Sequence, residues 1–257
     1  MPFQTMNLQR EGHVAIIKIK DSASDDKLMA QLCCDISDIC TQITSDETAQ
    51  VVILTGDSQR SFTIEADLFQ SGTGFSKESQ LQMYSLATPI SRLDRPVIAA
   101  IDGEALGPGF ELVLACDMRI ATERACFGLP HLKKGLIPWD GGTQRLSRLV
   151  GRGRAMEMIL TGESIGAEDA YRIGLVNRVV HPDVLMKETI DMASQIASRA
   201  PNALRYAKEA VCKGIDLTLD QGLRLEGDLY FLLQTTNDRI EGVNAFREKK
   251  TPHFKGT

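Results

Sequence analysis

VIAAIDGEALGPGFE (Val97–Glu111) joins three local signals: a run of five apolar residues, a glycine-rich turn, and the opening of an apolar helix. Val97 to Ile101, directly after Pro96, is an uninterrupted apolar run of the kind that suits a strand covered on both faces. Gly103, Gly107 and Gly109 let a ligand approach the backbone closely. Pro108 fits the first turn of a helix that extends to about Cys116. The free N–H groups of such a helix start suit a phosphate, a carboxylate or a developing oxyanion. Alone, the turn is weak evidence of a site, and GPGFEL lacks the third glycine of the dinucleotide fingerprint.

The same signals recur on either side. Val14 to Lys20 alternates apolar and polar residues as a half-buried strand does, and Asp21 to Asp26 is a polar break. Leu28, Leu32, Ile36, Ile39, Cys40 and Ile43 then recur at three- and four-residue spacing, which predicts one apolar helix face ending near Ser45-Asp46. Val51 to Thr55 and Met118 to Ala121 are further strand signals, so strands and helices interleave and a parallel sheet with helical crossovers is expected. From Ala167 onward strand signals are sparse and five helical segments follow, several opened by Ser, Asp or Pro. Residues 1–197 are read as the core and residues 198–257 as a helical C-terminal region. The apolar run Leu229 to Leu233 exceeds what a lone helical hairpin covers, which favours docking on the core or on another subunit.

Of the 257 residues, 43% are apolar and 25% charged, the profile of an ordinary globular chain. A net charge of −5 without a long Lys/Arg run argues against nucleic acid or an anionic membrane as the main partner. The start MPFQTMNLQREGHVAIIKIK has no signal-peptide pattern, and nowhere do 18 apolar residues run together, so a cytoplasmic location is expected. Cys33, Cys34, Cys40, Cys116, Cys126 and Cys212 show no metal-ligand spacing and read mainly as reduced, buried packing residues.

The order of several independent pieces carries more weight than any one of them. RSFTIEADL (Arg60–Leu68), RPVIAAIDGEALGPGFELVLACDMRIA (Arg95–Ala121), FGLP (Phe127–Pro130), GGTQRLSRLVG (Gly141–Gly151), AMEMILTGESIGAEDAYRIGLVNRVV (Ala155–Val180) and AFREKKTPHFKG (Ala245–Gly256) each resemble a segment of the crotonase (enoyl-CoA hydratase/isomerase) superfamily, and together they span nearly the whole chain. The resemblance implies an α/β fold: a spiral of ββα units with a helical C-terminal region used for trimerisation, in a homotrimer or hexamer. It also implies an acyl-CoA thioester substrate, with coenzyme A as part of the substrate and no separate cofactor or metal.

By the same resemblance, two backbone N–H groups hold the thioester oxygen as it becomes an enolate. They fall at Ala66 and at Pro108, and proline has no amide hydrogen to give. Losing one such donor costs about 2.7–4 kcal/mol of transition-state stabilisation, unless Gly109 N–H or a side chain replaces it. The family's hydratases use two glutamates; the first matches Glu111, and at the second stands His131. From the residues alone, Glu111 reads as a helix-start acid and His131 as a solvated or hydrogen-bonded loop residue. The resemblance turns both into acid/base candidates, with a Glu111–His131 ion pair as a further possibility.

Trp139 and Asp140 occupy a loop where many relatives carry small residues. Trp139 is expected to narrow the acyl pocket, and Asp140 to cap the helix beginning at Gly141 or Gly142, with a third acid/base role as the alternative. The family's adenine-binding loop matches Phe62, Ile64 and Ala66, Gly107 and Gly109 line the thioester turn, and Lys249, Lys250 and Lys255 match a terminal basic segment. His13, His181 and His253 lie outside the matched site. The leading expectation is an enoyl-CoA hydratase-like lyase working through an enolate. The alternatives are another enolate reaction (isomerase, decarboxylase or thioester hydrolase) and a catalytically silent acyl-CoA-binding subunit.

Overall fold

A computed structural model describes residues 3–20, 26–57, 59, 62–63 and 85–257. Its larger sheet holds β1 (Met6–Glu11), β2 (Val14–Ile19), β3 (Val51–Gly56), β5 (Val97–Ile101), β7 (Met118–Thr122) and β10 (Arg178–Val180), paired in that order. Only the β1–β2 hairpin is antiparallel. A second sheet of short strands runs β4 (Phe62–Thr63), β6 (Glu104–Leu106), β8 (Cys126–Gly128) and β9 (Ile165–Gly166), the last antiparallel to β8.

The spiral follows from these two orders. In β3/β4, β5/β6 and β7/β8 the first strand joins the larger sheet and the second joins the smaller one, and both sheets advance in the same sense. The helix of each turn comes next: α2 (Ala87–Ser91), α3 (Pro108–Leu114) and α4 (Gly142–Val150), the last preceded by a 3-10 turn at Pro130–Lys134. Side chains alternate along β3 and β5, so Val52, Leu54, Ala99 and Ile101 enter one core with Leu32, Ile36 and Ile39 of α1 (Asp26–Ser45). Val51, Ile53, Ile98 and Ala100 face the other way, onto α7 (Leu185–Ala197), which explains why those strands read as continuous apolar runs.

Between these elements lie α5 (Arg152–Thr161) and α6 (Ala167–Arg172); after them come α8 (Pro201–Gly214), α9 (Leu219–Gln234) and α10 (Asn237–Glu248). Lys208 ties α8 to the sheet, donating to Arg95 O at 2.9 Å and Asp117 Oδ2 at 2.7 Å. Within the apolar run, Leu229 is buried, whereas Tyr230, Phe231 and Leu232 are exposed. All six cysteines are free thiols; Cys33, Cys40 and Cys116 are buried as expected, but Cys34 and Cys212 are exposed. No described helix is long and apolar enough to cross a membrane.

Candidate active site

Every residue of α3 is buried, and its one charged member is Glu111, whose exposure is 0%. Two glycines place this helix. Gly107, its N-cap, has φ 57°, where a side chain is strained, and a Cβ on Gly109 would lie 1.8 Å from the carbonyl oxygen of Phe62. The Phe110 ring packs against Phe127 of β8 with centroids 5.6 Å apart, fixing the helix on the second sheet. The Gly107 carbonyl accepts from the N–H groups of Phe110 and Glu111, whereas Gly109, nearer the start, has no acceptor within the helix.

The loop before α4 closes over the carboxylate. Glu111 Oε1 accepts hydrogen bonds from the backbone N–H of Asp140 and of Gly142, both at 2.8 Å. Oε2 lies 3.6 Å from His131 Nε2, and among the described residues neither it nor either imidazole nitrogen has a hydrogen-bond partner. That separation exceeds a direct hydrogen bond and leaves both groups open to a third atom. Burial dominates both titrations: it raises Glu111 to about 7 against the two N–H bonds, and it lowers His131, with Lys134 adding to the effect. An ion pair would require His131 to hold its proton, which burial opposes. Around neutrality the two are therefore a partly protonated carboxyl beside a neutral imidazole, not the ion-paired dyad that the sequence left open.

Asp140 departs from its expected part. The N-cap of α4 is Gly141 and receives no side-chain cap. The Asp140 carboxylate instead points to the turn before α2, where Oδ1 accepts from Ser85 Oγ at 2.6 Å and Oδ2 from the N–H groups of Leu86 and Ala87 at 2.8 Å each. Three donors occupy it, which removes the third acid/base alternative. Trp139 lines a cavity of about 730 Å³ between α1 and α2 with Cys40, Thr41, Thr88 and Arg92, and neither Glu111 nor His131 is on that wall.

Other expected residues lie further off or outside the description. Phe62 is a core residue, 3% exposed, on the strand that pairs with β6. Ile64 and Ala66 lie outside the described residues. Lys250 pairs with Glu248 at 2.9 Å, and Lys255 gives its N–H to Asp238 Oδ1 at 2.7 Å. The sequence reading missed Gly142 and Ser85. The Gly141-Gly142 pair was the available signal for the first, since a Cβ on Gly142 would lie 2.9 Å from Glu111 Oε1. Nothing marked Ser85, because its partner is 55 residues away.

Comparison with known proteins gives the family. A crotonyl-CoA hydratase of Syntrophomonas wolfei is 36% identical over 99% of both chains. A short-chain-enoyl-CoA hydratase of Clostridium acetobutylicum is 36% identical over 97% of both. The crystal structure of an enoyl-CoA hydratase from Bacillus anthracis superposes with a TM-score of 0.86 at 39% identity, covering 99% of this chain and 100% of that one. The enoyl-CoA hydratase/isomerase profile matches residues 9–257, and the chain belongs to that family.

Proposed function

We propose that this protein adds water across the double bond of an enoyl-CoA thioester, with Glu111 and His131 as its acid/base pair. The observation that carries the reading is a fully buried carboxylate held by two N–H bonds on one oxygen, with its other oxygen 3.6 Å from an imidazole that is 10% exposed. In the ionised form, Glu111 takes a proton from water as the water oxygen attacks Cβ, and the electron pair moves through Cα to the thioester oxygen. The proton that Glu111 gains then passes to Cα through the neutral His131 imidazole, which takes it up on one nitrogen as it gives one to Cα, so both parts of the water end on the product and the pair returns to its starting state. The enolate oxygen needs two donors: Ala66 N–H is one by resemblance, and Gly109 N–H takes the place that Pro108 cannot fill.

The hydratase names of the relatives support this choice over isomerisation, decarboxylation or thioester hydrolysis. Coenzyme A enters as part of the substrate, with no separate cofactor. We further read residues 1–197 as the catalytic core and 198–257 as an assembly region of a homotrimer or hexamer, supported by Phe231 at 70% and Phe246 at 84% exposure on an apolar surface. A cytoplasmic location belongs to the same reading, and a reducing compartment suits the singly buried Cys33, Cys40 and Cys116.

The test follows the absorbance of the enoyl thioester over a panel of linear, branched and cyclic enoyl-CoAs. Loss of absorbance that Glu111→Gln and His131→Gln both abolish is the expected result. Micromolar acyl-CoA binding without turnover of any member would overturn the hydratase reading.

A further inference from the structure

Asp140 is a second buried carboxylate at the site, 6% exposed, and it does two things at once. Its side chain holds the turn at residues 85–87 through three hydrogen bonds, and its backbone N–H donates to Glu111 Oε1. Its carbonyl in turn accepts from Arg145 Nη1 at 2.7 Å. One residue thereby locks the loop through its side chain and through the peptide groups on both sides of it, and Gly142 N–H, two residues on, meets the same Glu111 oxygen. Ser85 Oγ also accepts from Thr88 N–H at 3.0 Å, so the anchor point is itself fixed in the first turn of α2.

We propose that Asp140 is a positioning residue of the acid/base site: its anchorage on residues 85–87 aims the loop N–H groups at Glu111 Oε1 and so leaves Oε2 free toward His131. The assignment rests on Glu111 acting in acid/base chemistry. The charged and titratable groups around Glu111 are Asp140 and Arg145 on the loop side and His131, backed by Lys134, on the other. Of the remaining elements packed on α3, α2 and β4 carry no charge and β6 carries Glu104. Asp140 acts on Glu111 in two opposed senses. Its negative charge raises the Glu111 titration, while the N–H bonds that its anchor directs lower it, the Gly142 bond more strongly than the charge acts.

That opposition makes the role separable from a charge effect and from general support of the fold. Asp140→Asn keeps an acceptor for Leu86 and Ala87 and removes the charge, so the Glu111 midpoint falls. Asp140→Ala removes charge and anchor together, so the N–H bonds loosen and the midpoint rises. Asp140→Glu keeps the charge but displaces the anchor and so also raises the midpoint, which gives the same test should the alanine variant fold poorly. The midpoint is read from the C=O stretch of the protonated carboxyl by infrared difference spectroscopy against pH, assigned by its absence in Glu111→Gln.

Shifts of about half a pH unit or more, down for Asn and up for Ala or Glu, are the expected result. A fall in both Asn and Ala would reduce Asp140 to a neighbouring charge, and no shift in any variant would reduce it to a structural tie; either overturns the proposal. If Glu111→Gln keeps full turnover, the acid/base reading fails on its own, while the infrared midpoints still report on the loop.

Discussion

Burying Glu111 costs the protein stability, and the cost depends on pH in a predictable direction. A carboxyl whose titration moves from 4.5 in the unfolded chain to about 7 in the folded one binds its proton more tightly when folded. Between those two values the folded state holds more protons than the unfolded state, so stability falls as pH rises through the window. At 1.36 kcal/mol per pH unit the loss reaches about 3 kcal/mol above pH 7 and vanishes below 4.5. Glu111→Gln replaces the group with a neutral near-isostere and removes that dependence. The variant should match wild type near pH 4.5 and exceed it by about 3 kcal/mol at pH 8, while losing turnover. Urea unfolding of both proteins at a series of pH values and one fixed concentration measures the difference, in which every other titrating group cancels. A gap that does not change with pH, or a glutamine variant less stable at pH 8, would refute the reasoning that burial dominates the Glu111 titration.

Other perturbations follow from the same geometry. Pro108→Gly adds an N–H beside the donor position that Gly109 N–H fills, so kcat should change by less than about threefold; a rise approaching the 10²–10³ known for one such donor would show that Gly109 does not fill the place. Gly142→Ala puts a Cβ 2.9 Å from Glu111 Oε1 and 2.8 Å from Pro138 Cβ, and kcat should fall by roughly 100-fold with the far-ultraviolet dichroism unchanged. Phe231→Asp charges a 70% exposed ring on α9, and sedimentation velocity should show a smaller species than wild type.

The core elements were legible because they obey periodicity. Val51 to Thr55 and Val97 to Ile101 lie buried on both faces, and the apolar face of α1 carries the spacing of Leu32, Ile36, Ile39 and Ile43. The second sheet was not legible, since strands of two or three residues such as Phe62–Thr63 and Ile165–Gly166 are too short to show any period. Strand β1 escaped notice because it is an edge with mostly exposed positions, and β10 because three residues sit between helices. At the site, resemblance brought Glu111 and His131 to one place, and the structure sets them 3.6 Å apart. What it could not supply was the partner of Asp140: a capping residue looks the same in sequence whichever helix start it serves, and here that start lies more than 50 residues upstream.

The strand order of the larger sheet runs with the sequence from one edge to the other, β1-β2-β3-β5-β7-β10. Among the described residues, no strand is inserted between two neighbours that precede it in the chain, so each new one adds to an edge that the earlier part has already built. Parallel sheets usually impose long waits between distant partners, which slows folding and leaves open edges exposed. Here the chain can lay down its sheet in the order in which it leaves the ribosome, with one growing edge at a time. The surroundings of Glu111 are then complete once the third turn, through Gly142, closes over it.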